Sequence, residues 1–283
     1  MNTQSTYGDR DVYFQSQYAE VLRRMLISEK ICDVNNSDLK RIQNPYGNQV
    51  TATIQAVAGT YSVSAWTITD DALTVTDEVI YSEHIYGHEE FFAALPLAMS
   101  RIDEMMYGVS SGIDKFVLNN LCEDATSTYT TPTGGFTTAS NINDIIANLL
   151  SKVGGYQDLY KGTYLVIENT DMVGFIKAGM TNGYSFADMT LNNGFMDNYG
   201  GVDIYVTRTG TFVDATLGTT TVTNAGHRVF GVKNTALYAS PRGMQYEEKP
   251  VTGKTGKEIV VYGLVGFKLF AQKAVLHTDI TIA

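Results

Sequence analysis

Apolar residues between Phe91 and Leu121 recur at every third or fourth position, and this spacing constrains the fold more than any other feature of the chain. Such a stripe covers one face of an α-helix. Because proline is tolerated near a helix start, the helix is predicted to run from Pro96 to Leu121. At about 1.5 Å per residue it would be on the order of 39 Å long, which is long for a globular domain.

The sequence before this helix has the two-residue period of β-strands. Apolar residues alternate with threonine and serine, which predicts strands at 49–57, 61–66 and 73–85. Gly59 and the pair Asp70-Asp71 are interpreted as turns between them. We expect a long, exposed β-hairpin, which is marginally stable alone and needs a partner to cover it.

Further helices are predicted from apolar periodicity and end signals. One is expected at 18–31, within an otherwise irregular arm of residues 1–48. Two more are expected after the long helix, and each begins at a capping residue and ends at a glycine. Their limits are Ser140 to Gly154, and Asn169 or Thr170 to Gly179.

The remaining segments are predicted to be strands and loops. Residues 181–200 and 208–226 are rich in asparagine, threonine and glycine, and we expect both to be loops. Strands are predicted at 163–168, 201–207, 228–232, 235–240, 243–250, 258–270 and 274–282. The last part of the chain therefore mixes helices and strands in an α+β pattern.

Composition excludes several classes of protein. The 283-residue chain has a net charge of −10, with 44% hydrophobic and 18% charged residues, which is typical of a folded protein. No apolar run reaches the roughly 20 residues that cross a bilayer, and the N-terminus does not resemble a secretory signal. No Lys or Arg lies between Arg41 and Arg101, and no basic stripe for nucleic acid is present. Two cysteines, Cys32 and Cys122, indicate a reduced, cytosolic protein.

Two short motifs suggest enzymatic chemistry, and each lacks the context that the chemistry needs. Gly108-Val109-Ser110-Ser111-Gly112 matches the nucleophile elbow of serine hydrolases, which requires a strand, a turn and a helix, yet it lies inside the helical stripe. Gly253-Lys254-Thr255 resembles the end of a phosphate-binding loop, but Glu248 replaces the first glycine and strands flank it. Structural roles are favoured for both, and a serine hydrolase using Ser110 is a remote alternative.

The stretch EHIYGHEE, residues 83–90, combines two of the four histidines with three carboxylates. His84 and His88 would share a face only within one helix, whereas His84 falls on the polar side of a strand and a glycine separates them. A zinc site also needs a third ligand, and nothing in the sequence brings another histidine near. We expect no metal and no cofactor, and interpret the stretch as the junction between hairpin and helix.

Four stretches, taken in order, resemble the major capsid protein of tailed bacteriophages, which has the HK97-like fold. DDALTVTDEVIYSEHIYGHEE and the stripe after it are similar to the second strand of that family's E-loop and its spine helix, with Ile-Asp pairs at 102–103 and 113–114. TYLVIENTDMVGFIKAG and GGVDIYVTRTG are similar to parts of the axial domain. Residues 227–280 are similar to the closing peripheral hairpin with its G-x-x-G-x-K strand. The resemblance covers residues 46–283.

This resemblance implies an α+β fold divided into four parts. They are an N-terminal arm at 1–45, an E-loop hairpin at 46–86, a peripheral domain with the spine helix at 87–129 and 239–283, and an axial domain at 130–238.

The resemblance also implies a structural protein and not an enzyme. Its subunits would form pentamers and hexamers that close into an icosahedral virion capsid around double-stranded DNA, without sequence-specific contact and without a membrane. Assembly would take place in the cytoplasm of a bacterial host. Since residues 42–100 contain no lysine, the covalent cross-link of some family members is not expected in the hairpin. A portal is a further partner implied, and a separate scaffold or none, and a cement protein or none, remain open.

Candidate assembly residues follow from these parts. They lie in the hairpin, in its junction with the helix, in the helix, and at the tip of the closing hairpin: Trp66, Asp70, Asp71, His84, His88, Gly108, Gly112, Lys249, Lys254 and Lys257. We hypothesise that Gly108 and Gly112, which weaken the helix, let it bend in a precursor shell. An encapsulin-type nanocompartment shell and a phage tail-tube or sheath subunit remain open as alternatives.

Overall fold

The computed structural model describes residues 26–37, 40–47, 67–86, 97–181, 195–241, 243–253 and 255–283, with single positions at 54, 59, 63 and 65. Within these residues, two larger sheets pack against the longest helix. Most of the predicted helix at 18–31, and nearly all of the predicted strands at 49–57 and 61–66, lie outside them.

Helix α2 confirms the helix predicted from the apolar stripe. The described helices are α1 (Ser28–Ile31), α2 (Leu97–Asp124), α3 (Ala139–Val153) and α4 (Met172–Thr181), with short 3-10 turns at Gly135–Thr137, Gln157–Lys161 and Ala274–Leu276. Helix α2 has 28 residues and ends three residues beyond the predicted Leu121. Its apolar residues from Met105 to Leu121 are buried, as the stripe requires.

The two shorter predicted helices are present, with small differences at their ends. Thr138, and not Ser140, precedes α3, and its side chain makes no cap hydrogen bond. Helix α4 begins after Asp171, whose carboxylate accepts a hydrogen bond from the Glu168 backbone N–H at 3.1 Å. These helices are fixed by packing of their apolar faces, so the capping residue alone predicts the boundary only approximately.

Fifteen strands lie within the described residues. They are β1 (Asp33–Asn35), β2 (Arg41–Gly47), β3 (Ile68–Thr74), β4 (Asp77–Ile85), β5 (Ser127–Thr130), β6 (Thr163–Glu168), β7 (Phe195–Tyr199), β8 (Val202–Thr207), β9 (Asp214–Leu217), β10 (Thr220–Thr223), β11 (His227–Val232), β12 (Leu237–Ala239), β13 (Met244–Pro250), β14 (Lys257–Lys268) and β15 (His277–Thr281).

A six-stranded sheet has the order β5-β15-β11-β6-β8-β7 and is covered on both faces. Side chains from alternate positions of β6 enter different cores: Tyr164 and Val166 pack with α2, whereas Leu165 and Ile167 pack with α3 and α4. All six residues of β6 are therefore buried. This double coverage explains why the middle of β6, from Tyr164 to Ile167, is continuously apolar instead of alternating.

A second sheet is built around the long strand β14. Strands β4 and β13 flank its first part, and β12 pairs with its last residues, followed by β1. One face of β14 presents Ile259, Val261 and Val265 to the same core as α2. The predicted hairpin of β13 and β14, with its tip at 251–256, is confirmed.

The predicted strand at 73–85 is wrong in one respect, because it is two strands in different sheets. Strand β3 ends at Thr74 and pairs with β2, whereas β4 starts at Asp77 and pairs with β14. The predicted turn at Asp70-Asp71 lies within β3. Both faces of the β2–β3 pair are largely exposed, so acidic residues are tolerated in its strands.

The two predicted loops also contain regular structure. Residues 195–199, at the end of the first loop, form β7 at the edge of the six-stranded sheet. The second loop contains the hairpin of β9 and β10. Asparagine, threonine and glycine favour loops in both segments, and composition does not reveal that their backbone groups pair as strands.

Candidate assembly surfaces

The β2–β3 ribbon is an exposed element that carries apolar residues. Among the described strands, β2 and β3 pair only with each other, from Arg41 opposite Thr74 to Gly47 opposite Ile68. Ile68 is 54% exposed, and Ile54 and Val63, in the segment that joins the strands, are 99% and 85% exposed. An isolated two-stranded pair with exposed apolar side chains is suited to contact with another molecule. Trp66 lies outside the described residues.

The base of the ribbon is attached to the rest of the subunit by a small core. Leu73 and Val75 are buried against Leu237 and Ala239 of β12. Asp71 adds polar anchors, because its carboxylate accepts a hydrogen bond from Ala271 N at 3.0 Å and lies 3.2 Å from Lys268 Nζ. Asp70 instead pairs at 3.3 Å with Arg41 on the surface of the ribbon. Of the two predicted assembly acids, Asp71 is thus an anchor and Asp70 is exposed.

The N-terminal segment joins the fold through Asp114, the acid of the second Ile-Asp pair. Its carboxylate accepts hydrogen bonds from Ile27 N at 3.1 Å, Ser28 N at 2.7 Å, and the Ser28 hydroxyl. Burial raises the pKa of Asp114, and the hydrogen bonds from Ser28 and Ile27 oppose this shift. Ile27 and Ile31 are buried beside α2, so the region predicted as an arm contains a firmly packed part.

The two glycines of α2 have different surroundings. A Cβ added at Gly112 would lie 2.8 Å from Val79 Cγ1 of β4, closer than normal packing permits. A Cβ added at Gly108 would meet no atom within 4 Å. Gly112 therefore allows β4 to pack closely on the helix, whereas Gly108 has no such role here. The bending hypothesis stays a prediction.

His84 lies in β4 opposite Glu258 of β14. Its ring contacts Tyr86 edge-on, with ring centroids 4.3 Å apart, and its buried Nε2 has no hydrogen-bond partner among the residues that the structure describes. His88 lies outside the described residues. Across the part of the chain that the structure describes, no group of three or more His, Cys, Asp or Glu side chains is placed to hold a metal ion.

The lysines at the tip of the β13–β14 hairpin form surface ion pairs. Lys249 lies 2.8 Å from Glu247, and Lys257 lies 3.1 Å from Glu248. Every residue of β13 is exposed, so this edge of the sheet is uncovered in the isolated subunit. Lys254 lies outside the described residues, and its neighbours Gly253 and Thr255 belong to the connection between two strands.

Ser110 lacks the environment of a catalytic nucleophile. It lies within α2, and its hydroxyl donates a hydrogen bond to the Met106 carbonyl oxygen at 2.9 Å. A nucleophile elbow presents its serine on a sharp turn between a strand and a helix, and no such turn exists at Ser110.

Sequence reasoning missed the role of residues 208–226, here called the strap. Asn119 of α2 holds it: the Asn119 Nδ2 donates to the Thr211 carbonyl oxygen at 2.8 Å, and the Asn119 Oδ1 accepts from Val213 N at 3.1 Å. Glu123 accepts a hydrogen bond from Thr223 N at 2.9 Å. The sequence did contain a sign of this contact, because Asn119 and Glu123 are polar residues at the end of the long helix, next to its apolar stripe.

A buried ion network joins the strap to the six-stranded sheet. Arg228 donates to Asp171 at 2.5 Å and to Glu168 at 3.1 Å. All three side chains are buried. Glu168 Oε1 also accepts hydrogen bonds from the strap at Gly210 N and Thr211 N, at 2.9 and 3.2 Å. One guanidinium thus faces two carboxylates, and the strap amides add further hydrogen bonds to Glu168.

His277 forms a second buried polar connection. The Thr235 hydroxyl donates to the Val232 carbonyl oxygen at 2.7 Å, so it must accept from His277 Nε2, also at 2.7 Å. The other ring nitrogen, Nδ1, then accepts from the Tyr164 hydroxyl at 2.9 Å. Burial lowers the pKa of His277 to about 3, so the ring is neutral over a wide pH range.

Among the described residues, no helix has the length and apolarity to cross a bilayer.

Comparison with solved structures finds phage capsids. The capsid structure of the cyanophage P-SCSP1u matches with a TM-score of 0.70 and 12% identity over 98% of this chain and 94% of that chain. A chain of Mycobacterium phage Che8 matches with a TM-score of 0.73 and 14% identity over 95% of each chain. The mature capsid of bacteriophage PhiM1 matches with a TM-score of 0.71 and 10% identity over 96% of this chain and 91% of that chain.

Sequence comparison adds no relative, since no family model and no curated protein matches the chain. The structural similarity nevertheless extends over nearly the full length of both partners and confirms the resemblance to phage capsid proteins. The chain has the fold of phage capsid proteins.

Proposed function

We propose that this chain is the major capsid protein of a tailed bacteriophage, which assembles as pentamers and hexamers into an icosahedral shell around the viral double-stranded DNA. The observation that carries the proposal is the exposed β2–β3 ribbon on a subunit with a capsid fold. A two-stranded ribbon gains its stability by lying on something else. In a closed shell, the neighbouring subunit supplies that surface.

Shell formation would depend on the same moderate contacts between subunits, repeated by symmetry. In a ring of identical subunits each interface is used once per subunit, so one ribbon and one receiving surface suffice for closure. The exposed apolar residues Ile54, Val63 and Ile68 provide the apolar part of such a contact. The uncovered edge strand β13 is a second surface available to neighbouring capsomers.

The charge of the chain fits containment of DNA without specific binding. At a net charge of −10, the subunit would not hold phosphates by bulk attraction. Screening limits repulsion between the shell lining and packaged DNA to about 10 Å at 0.1 M salt. A structural, non-enzymatic role in the virion and assembly in the bacterial cytoplasm are parts of the same proposal.

Further partners follow from the same proposal. Residues 42–100 contain no lysine, so the ribbon is held on its neighbour by non-covalent contacts, with a cement protein as the external reinforcement. A separate scaffold and a portal complete the assembly machinery. The proposed divisions are the arm at 1–45, the hairpin at 46–86, the peripheral domain at 87–129 and 239–283, and the axial domain at 130–238.

Electron microscopy of the purified full-length chain tests the proposal. We expect closed shells from the wild-type chain and from Ile54→Leu/Val63→Leu, which keeps the apolar contact. Ile54→Asp/Val63→Asp should give soluble subunits with unchanged thermal stability and no shells, because both positions are exposed in the subunit. Shells that tolerate both aspartates would contradict the proposed role of the ribbon.

The contents and shape of the particles separate the alternatives. Nuclease-resistant DNA inside particles from infected cells supports a phage capsid, whereas a protein cargo would indicate an encapsulin-type compartment. Tubes in place of shells would indicate a tail-tube or sheath subunit, and a permanently monomeric chain would contradict every shell or tube function. Labelling of Ser110 by a fluorophosphonate probe would contradict the structural role given to this residue.

A further inference from the structure

The hinge between the ribbon and the second sheet lies at residues 75–76. Strand β3 ends at Thr74 in one sheet, and β4 begins at Asp77 in another, so this short connection helps to orient the ribbon, together with the anchor at Asp71. The small core of Leu73 and Val75 attaches the ribbon near β12. A second contact at the hinge comes from the strap.

The tip of the strap encloses the carboxylate of Asp77. Asp77 Oδ1 accepts a hydrogen bond from Thr219 N at 2.7 Å, and Oδ2 accepts from the Thr219 hydroxyl at 3.2 Å. Thr76, within the hinge itself, donates its hydroxyl to Oδ2 at 3.0 Å. Asp77 is only 8% exposed, so these bonds form in a largely dry environment where they are strong.

The shape of the strap tip fits this carboxylate closely. Gly218 has a φ of +62°, which non-glycine residues rarely adopt. A Cβ at Gly218 would also lie 2.2 Å from Asp77 Oδ1. A side chain at this position would therefore displace the carboxylate as well as strain the backbone.

The rest of the strap is tied to the body of the subunit. Its start is held by Glu168, which Arg228 fixes in turn, and by Asn119 of α2, which bonds Thr211 and Val213. Its end is held by Glu123. The strap thus connects the six-stranded sheet and the long helix to the hinge of the ribbon.

We propose that the strap is a latch that sets the angle of the ribbon relative to α2, with Asp77 as the positioning residue. Neither Asp77 nor Thr219 has to contact a neighbouring subunit for this role. The latch acts by keeping the hinge in one orientation, so that the exposed apolar end of the ribbon points in one direction. For assembly, the latch would orient the ribbon before it contacts the neighbouring subunit. This consequence rests on the proposed shell function.

Hydrogen–deuterium exchange on the full-length subunit tests the latch. In Asp77→Ala and Gly218→Ala, amides of residues 68–80 should exchange about tenfold faster, the effect of losing hydrogen bonds to a charged group. Exchange in β6 should not change, because this strand lies in another sheet. Thr219→Val keeps the backbone hydrogen bond to Asp77 and loses only the hydroxyl bond, so it should give a smaller increase in exchange. It is the variant to measure if the other two fold poorly.

Two matched controls isolate the contact with Asp77. Gly226→Ala places alanine at a φ of +83° in the same strap, where an added Cβ meets no atom within 4 Å. Thr216→Val removes a hydroxyl that lies 3.1 Å from the Thr221 hydroxyl, away from the hinge. Both should leave exchange at 68–80 as in the wild type. Unchanged exchange in Asp77→Ala, Gly218→Ala and Thr219→Val, or equal acceleration in the controls, would overturn the latch.

Assembly gives an independent readout. The latch variants should yield fewer closed shells and more irregular particles than the two controls at equal protein concentration. If the wild-type chain forms no shells, the proposed function fails while the exchange result still decides the latch. If exchange increases but shells form normally, the latch exists and its proposed effect on assembly is wrong.

Discussion

The β2–β3 ribbon and the six-stranded sheet satisfy their polar groups in opposite ways. On the ribbon, Arg41 and Asp70 meet at 3.3 Å with side chains 58% and 38% exposed. In the sheet, Arg228, Glu168 and Asp171 are buried and bonded to one another. These charged groups of the sheet region are therefore bonded inside the subunit, whereas those of the ribbon remain accessible on its surface.

This difference indicates that the six-stranded sheet mainly determines the stability of the subunit, whereas the ribbon mainly affects association. A buried charge network is costly to break, so mutations there should unfold the subunit. An exposed ion pair contributes little, so mutations on the ribbon should change association and leave folding intact. The following predictions test this division, from the largest expected effect to the smallest.

The largest effect is expected for Arg228→Met, which leaves the carboxylates of Glu168 and Asp171 buried without their cation. Removing one partner of a buried ion pair typically costs about 3–5 kcal/mol. The matched control is Arg41→Met, which removes an exposed arginine and should cost about 0–1 kcal/mol. Urea unfolding of both variants measures the difference. Similar losses would contradict the contrast between the two regions.

Acid should destabilise the sheet region through His277. Burial lowers its pKa from 6.5 to about 3 in the folded chain, so the unfolded chain binds the proton more readily between these values. The contribution of neutral His277 to the free energy of unfolding is complete above pH 6.5. It falls as the pH drops toward 3, by roughly 1.4 kcal/mol per pH unit at most. Thermal unfolding from pH 7 to 4 should show a shallower decline in His277→Gln. A His277 pKa above 6 by NMR would contradict the argument.

The two glycines of α2 should respond in opposite directions to alanine. Gly112→Ala places a methyl group against Val79 and should cost about 1–3 kcal/mol through overpacking. Gly108→Ala meets no neighbour and should stabilise the subunit by up to about 1 kcal/mol through helix propensity. Urea unfolding separates them. If shells of the double variant assemble and expand normally, the bending hypothesis is wrong.

The smallest effect on folding is expected for Lys249→Met at the exposed hairpin tip. Its pair with Glu247 is on the surface, so the melting temperature of the subunit should not change measurably. If the tip contacts other capsomers, the salt dependence of shell formation should change instead. Lys268→Met is the comparison, because Lys268 pairs with the anchor Asp71 at the ribbon base. A lower melting temperature for Lys249→Met alone would contradict the assignment.

The elements that sequence predicted well are those with one strong period. Helix α2 and strand β6 follow directly from the stripe and from an unbroken apolar run. The hairpin of β13 and β14 follows from alternation around a glycine-rich tip. In these cases burial of apolar side chains decides the structure, and burial leaves a pattern in the sequence.

The strap and the hinge could not be predicted from apolar periodicity. The strap has no regular apolar period, and its position depends on hydrogen bonds that its backbone N–H groups donate to Asn119, Glu168 and Asp77, each distant in sequence. The break after Thr74 is equally hidden, because both strands keep the same alternation and differ only in their partner.

By itself, the sequence determined the long helix, the alternation of the strands and the resemblance to a capsid fold, because each depends on the order and polarity of neighbouring residues. Only the tertiary structure decided which strands pair, that Gly112 serves close packing while Gly108 does not, and that a polar strap closes on Asp77. These features depend on contacts between residues far apart in the chain, where one hydrogen bond or one methyl group selects among arrangements with the same local pattern.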